Sequence, residues 1–106
     1  MTTRIDLAEG RALVAKALVP FGQMPDADTV ARLTDRLLRH GRRVRDAAAR
    51  QGGGAEGAFA DWETLTTRGP ADDGRIGAWS YCRATARTVR RFHLMLGGDP
   101  AAVRSR

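Results

Sequence analysis

VARLTDRLLRHGRRVRDA, residues 30–47, is the stretch that decides the fold of this chain. Its apolar and histidine side chains recur at intervals of three and four residues, at Val30, Leu33, Leu37, His40, Val44 and Ala47. This a/d spacing predicts one face of a long amphipathic helix. Asp26 or Asp28 caps its start, and Gly52-Gly53-Gly54 ends it after Gln51. The predicted helix therefore has about 25 residues and is roughly 37 Å long.

On either side of this stretch, the same signals predict three further helices. A first helix over about residues 3–19 ends at a proline, and Gly10 is expected to weaken its middle. A shorter third helix over about residues 59–68 ends at Gly69-Pro70. The fourth, over about residues 75–96, carries on one face Trp79, Cys82, Ala86, Val89, His93 and Leu96.

Four helices joined by short loops predict an all-α antiparallel bundle of about four helices, two long, one medium and one short. One domain is expected over residues 1–98, followed by a disordered tail over residues 99–106. Cys82 is the single cysteine, which fits a reducing compartment. The first ten residues include Asp6 and Glu9 and do not match a signal peptide. Since no run approaches the roughly 18 apolar residues of a membrane helix, a cytoplasmic protein without membrane contact is predicted.

The chain is strongly basic, with a formal net charge of +6. Lys16 is the single lysine among 18 basic residues, and asparagine is absent, which is typical of a GC-rich coding bias. Arginines form a ridge on each long helix, away from its apolar face: Arg32, Arg36, Arg39 and Arg43 on the second, Arg83, Arg87 and Arg90 on the fourth. These ridges are candidate sites for nucleic acid or for an acidic protein partner. The alternative is that they are the solvated outer faces of amphipathic helices.

His40 and His93 are the only histidines, and both occupy a/d positions of the long helices. If these helices are antiparallel neighbours, the two rings meet or line one pocket. An imidazole pair is suited to general acid/base catalysis near neutral pH, which makes both residues candidate catalytic groups. The alternative is that each is a hydrogen-bonded residue at the core edge. Two histidines supply too few ligands for a structural zinc site, so no metal or cofactor is predicted.

Aromatic side chains are few, at 6% of the sequence. A pocket for a flat organic ligand is predicted from Trp62, Trp79, Tyr81, Phe92 and His93. The alternative places the same aromatic stripe in the hydrophobic core. Residues 52–57 match the G-x-G-x-x-G string, but no strand precedes them, so a loop is predicted there and not a dinucleotide site.

A Gly-Pro turn and a long helix with spaced Tyr, Arg and Phe residues mark the second half of the chain. The matching residues are Gly69-Pro70, Tyr81, Arg83, Ala86, Arg87, Arg90 and Phe92. Over roughly residues 26–96, the chain resembles a family of small uncharacterised helical proteins from high-GC bacteria. That family is a domain of unknown function, loosely described as natural-product biosynthesis proteins. The resemblance implies a helical fold and supplies no catalytic residues.

The leading prediction is a small non-catalytic accessory or binding protein, associated with natural-product biosynthesis, that docks a protein partner or a small organic ligand. A nucleic-acid-binding regulator that uses the arginine ridges is the first alternative. A small helical enzyme with His40 or His93 as general acid/base in an aromatic pocket is the second. A homodimer also remains open, because an exposed heptad face often closes a dimer.

Overall fold

The computed structural model describes residues 5–51, 56–71 and 74–96. Within these ranges the chain forms no strand and four α-helices: α1 Leu7–Ala17, α2 Ala27–Gln51, α3 Glu56–Arg68 and α4 Arg75–Leu96. A 3-10 turn over Phe21–Gln23 lies between α1 and α2. The predicted all-α bundle is thereby confirmed. The predicted tail, residues 99–106, lies outside the described residues.

Side-chain caps set where two of the helices begin. The Asp6 Oδ1 atom accepts a 2.9 Å hydrogen bond from the backbone N–H of Glu9, and Asp26 Oδ1 accepts one of 3.0 Å from the N–H of Thr29. These carboxylates satisfy N–H groups that have no partner within the helix. Hydrogen bonds from Thr29 also hold the pKa of the Asp26 carboxyl below its usual value. The cap at Asp6 explains why α1 begins at Leu7 and not near residue 3.

Consecutive helices run antiparallel, as predicted, and the two long helices consequently run parallel to each other. Near the start of both, Arg75 Nη2 donates a 3.4 Å hydrogen bond to the carbonyl of Pro25, which precedes α2. Further along both, His40 of α2 meets His93 of α4. The rings therefore meet between parallel helices and not between antiparallel ones. The α2–α4 contact is the most extensive one between helices in the described ranges.

The core lies along the α2–α4 contact and is made by the a/d faces of the two long helices. Leu37 and Val44 of α2 are fully buried, as are Trp79, Val89 and Phe92 of α4. The flanking helices α1 and α3 complete this core with Leu13, Val14, Ala17, Ala58 and Trp62. Removal of this apolar surface from water is the main favourable contribution to the stability of the bundle.

A single arginine ties the end of α1 to α4. The Arg83 guanidinium donates hydrogen bonds to the carbonyls of Ala17, at 3.1 Å, and of Val19. Its Cζ atom lies 5.6 Å from the Phe21 ring centroid and 5.5 Å from that of Trp79. Trp79 Nε1 in turn donates to the Phe21 carbonyl at 3.0 Å. We call this set of contacts the arginine clamp; it satisfies carbonyls at the C-terminal end of α1, where the helix dipole also favours a cation.

Two glycines let neighbouring helices approach where any side chain would collide. A Cβ atom on Gly41 of α2 would overlap the Trp62 ring of α3 and would lie 3.1 Å from Val89 Cγ2. A Cβ atom on Gly10 of α1 would overlap the imidazole ring of His40. The glycine that was expected to weaken α1 is therefore the residue that allows α1 to pack on α2.

Candidate functional site

His40 and His93 form a buried pair between α2 and α4. Their Nε2 atoms are 2.7 Å apart, and their ring centroids are 4.9 Å apart with an angle of 72° between the ring planes. Only 8% of His40 and 5% of His93 is exposed. One ring donates its Nε2–H and the other accepts at an unprotonated Nε2, because a hydrogen bond needs one proton between the two nitrogens. The structure thus brings together the two histidines that the sequence places on separate helices.

Burial keeps both imidazoles neutral near pH 7. Desolvation lowers the pKa of His93 to about 4, and repulsion from His40 and Arg11 adds to this effect. Desolvation also lowers the pKa of His40 below its usual value of 6.5, against the opposing attraction of Glu9. The pair is therefore an uncharged hydrogen-bonded contact inside the core.

The two Nε2 atoms of the pair point toward each other, and both rings are almost fully buried. Both Nε2 atoms are engaged in the mutual hydrogen bond, and α1 covers His40 through Gly10. A general base has to lie within hydrogen-bonding reach of the proton that it removes, directly or through one water. Within the described residues, no group of three or more histidine, cysteine or acidic side chains is arranged to hold a metal ion. His40 and His93 thus form a buried, mutual contact between α2 and α4.

The five residues predicted to wall a ligand pocket lie in two different environments. Trp79 and Phe92 are fully buried, and Trp62 and His93 are nearly so. Phe92 packs edge-on against Trp62, with ring centroids 6.1 Å apart. Tyr81 differs, because its ring lines a surface groove while its hydroxyl donates a 2.8 Å hydrogen bond to a carbonyl of α3. Four of the five side chains thus pack in the core, and one reaches the surface.

The arginine ridges are less continuous than the sequence predicts. Arg83 turns inward into the arginine clamp. Arg36 lies 3.6 Å from a carboxylate oxygen of Glu9, and Arg39 lies 3.1 Å from one of Asp35. The remaining ridge residues are exposed and make no ion pair with the described carboxylates: Arg32, Arg43, Arg87 and Arg90. Among the ridge residues, these four guanidinium groups are exposed without a carboxylate partner in the described ranges.

A groove of about 440 Å³ lies between α1 and α2 and is lined by positively charged side chains from both helices. Leu13 and Leu33 form its floor, and Lys16, Arg32 and Arg36 line its rim. We call it the α1/α2 groove; its other lining residues are Val19, Gln23, Pro25 and Thr29. Sequence reasoning singled out the two arginines but missed Lys16, whose only sequence signal is that it is the single lysine of the chain.

Two other grooves open on the described surface. One of about 450 Å³ lies between α3 and α4 and is lined by Arg87, Arg90 and Arg91, but Arg91 is paired with Asp61 at 2.6 Å. The other, of about 290 Å³, is lined mainly by apolar side chains near the starts of α2 and α4, beside Tyr81. Arg32 therefore lies in a different groove from Arg87 and Arg90, and Arg43 lines neither of these two grooves.

Comparison with known proteins adds no functional residue to these sites. No family model, curated protein or solved structure matches the chain. The resemblance of residues 26–96 to a helical family from high-GC bacteria therefore stays a prediction. None of the helices in the described ranges is long and apolar enough to cross a membrane.

Proposed function

We propose that this protein is a non-catalytic docking module that binds an acidic, amphipathic helix of a partner protein in the α1/α2 groove. One observation carries this proposal: Lys16, Arg32 and Arg36 converge from two helices on the rim of a groove floored by Leu13 and Leu33. Apolar side chains of a docked helix contact such a floor while its carboxylates pair with the rim. The closed geometry of the histidine pair supports a binding role over a catalytic one.

The charge around the groove favours an acidic occupant. The chain carries a net charge of +6, so long-range attraction steers acidic partners toward it. On the rim, Arg36 pairs with Glu9 at 3.6 Å, and both side chains are more than half exposed. Exposed ion pairs of this kind contribute little to stability. A partner carboxylate can therefore replace Glu9 at Arg36 without a large loss in the free energy of folding.

A protein partner fits this surface better than nucleic acid does. Binding to a phosphate backbone is strongest where cations follow one another along a continuous track. Here Arg83 is engaged in the clamp, and Arg87 and Arg90 lie in the α3/α4 groove, apart from Lys16 and Arg32 in the α1/α2 groove. This division of charge supports a compact acidic partner.

The proposal predicts that charge reversal in the groove removes binding to an acidic helix. The probe is a fluorescein-labelled peptide of about 20 residues, roughly 30 Å as a helix, with leucines on one face and glutamates on the other. In anisotropy titrations, Lys16→Glu combined with Arg32→Glu is expected to weaken binding roughly tenfold or more, because two attractive charges become repulsive. Affinity for the unaltered protein should also fall as salt is raised.

The matched control for this experiment is Arg42→Glu combined with Arg50→Glu. Both arginines are exposed on α2 and lie outside the groove, and their reversal changes the net charge by the same amount. Equal losses of affinity in the two double variants would reject the groove as the site. A failure of the unaltered protein to bind the peptide, or tighter binding of duplex DNA at physiological salt, would overturn the proposal. Equal melting temperatures for all three proteins exclude a folding defect.

A further inference from the structure

The histidine pair lies directly beneath α1. Gly10 packs against the His40 ring so closely that a Cβ atom there would overlap it. Because Gly10 has no side chain, the backbone of α1 itself covers this ring. Arg11 of the same helix is close enough to repel a positive charge on His93. On this side the pair is therefore covered by α1, a helix of 11 residues.

The neutral pair has no favourable place for an added proton. One Nε2–H donates to the lone pair of the other Nε2. A proton added to the accepting Nε2 leaves two N–H groups pointing at each other without an acceptor, so the hydrogen bond breaks. A proton added to Nδ1 of the donor keeps the bond but leaves a positive charge in a buried site. Both routes favour a state in which water reaches the rings.

We propose that the His40–His93 pair is an acid-sensitive latch, which holds α1 against α2 and α4 while it is neutral and releases α1 when it takes up a proton. The release is local, because α2 and α4 share the most extensive contact in the described ranges. The clamp holds the far end of α1, since the Arg83 guanidinium donates hydrogen bonds to the carbonyls of Ala17 and Val19. α1 therefore opens from its N-terminal half and stays attached near Ala17.

Other charged groups face the pair from two helices. From α1, Asp6 and Glu9 attract a positive charge on the α2 ring, and Arg11 repels one on the α4 ring. From α2, Arg43 repels a charge on the ring of its own helix. From α4, the titratable group that faces the α2 ring is the second ring of the pair. Burial outweighs the attraction of the two carboxylates, so each ring has a lowered pKa and the direction of the effect is the same for both.

The pH range of the latch follows from the pKa of His93, which is about 4 in the closed state against 6.5 for an exposed ring. The open state binds the proton more tightly, so acid favours opening. The latch is closed above about pH 6.5. The ratio of open to closed molecules rises as the pH falls and changes little further below about pH 4. For one such histidine, the ratio of open to closed molecules rises roughly 20-fold between about pH 7 and about pH 5.

Amide hydrogen exchange tests this inference directly. Exchange rates are measured by NMR near neutral pH and near pH 5, and each is corrected for the intrinsic rate of the unprotected amide. Opening at residues 11–14 of α1 is expected to increase roughly 20-fold in acid. Amides of α3 serve as the internal control and are expected to change less than about threefold. Equal increases in α1 and α3, or no increase in α1, would overturn the latch.

A variant and a second measurement separate the latch from general acid sensitivity. His93→Gln keeps a polar side chain but cannot be protonated in this range, so it is expected to remove most of the pH dependence of α1 opening. If this variant does not fold, the side-chain NMR titration of the unaltered protein decides. Histidine pKa values at or above 6.5 for both rings contradict the proposal, and depressed values for both support it.

Discussion

Replacing Gly41 by alanine is expected to lower the free energy of unfolding by about 2–3 kcal/mol. The added Cβ overlaps the Trp62 ring, and Val89 Cγ2 closes the other side at 3.1 Å. Trp62 is 5% exposed and Val89 is fully buried, so neither side chain has room to withdraw. This overlap outweighs the gain of about 1 kcal/mol that alanine brings to a helix interior. Urea denaturation followed by tryptophan fluorescence measures the loss.

The matched control is Gly57→Ala in α3. Gly57 is exposed, and a Cβ atom there meets only the end of the flexible Arg91 side chain, at 2.9 Å. The same chemical change is therefore expected to be neutral or to stabilise by up to about 1 kcal/mol. If Gly41→Ala proved as harmless as Gly57→Ala, the close approach of α3 to α2 at Trp62 would be ruled out.

Replacing Arg83 by alanine is expected to lower the free energy of unfolding by about 3 kcal/mol. The change leaves the carbonyls of Ala17 and Val19 without their donor, and a hydrogen bond to a charged group contributes about 1.5–3 kcal/mol. It also removes the cation from the faces of Phe21 and Trp79, which adds about 1 kcal/mol. Denaturation measures the total loss in the free energy of unfolding. A larger increase in amide exchange in α1 than in α4 would show that the loss falls on α1.

Two further variants show whether the charge of Arg83 or its packing is responsible. Arg83→Met retains an apolar stem of similar length and is expected to recover no more than about 1 kcal/mol of the loss. Arg90→Ala removes an exposed arginine that makes no ion pair with the described carboxylates, and is expected to change stability by less than about 0.5 kcal/mol. Equal effects at Arg83 and Arg90 would mean that the clamp does not form in solution.

The bounds of the two long helices could be predicted closely because their apolar periodicity and their end signals are strong and agree with each other. The a/d pattern from Val30 to Ala47 continues without a break, and glycine follows it, so α2 ends at Gln51 as predicted. The fourth helix has the predicted bounds, Arg75–Leu96, for the same reason. The start of α3 is less sharply marked, and it begins at Glu56, before the predicted position near Phe59. Periodicity identifies the buried face of a helix, whereas weak capping signals do not determine the residues at which the helix begins and ends.

The contacts between helices could not be predicted from periodicity. A helical wheel places Arg83 on an outer face because it considers one helix at a time, and it cannot show that the C-terminal carbonyls of α1 lie beside that face. For the same reason Gly10 reads as a weak point, although it is the place where α1 meets His40. The groove combines Lys16 of α1 with Arg32 of α2, and that pairing exists only in the packed structure.

α1 supplies residues to two features at once: Gly10 covers the histidine pair, while Leu13 and Lys16 line the groove. Proton uptake and partner binding then act on the same helix and are thermodynamically linked. By reciprocity, a partner that needs α1 in place lowers the proton affinity of the histidines by the same factor by which protonation weakens the partner. If both proposals hold, the protein binds its acidic partner at neutral pH and releases it in acid.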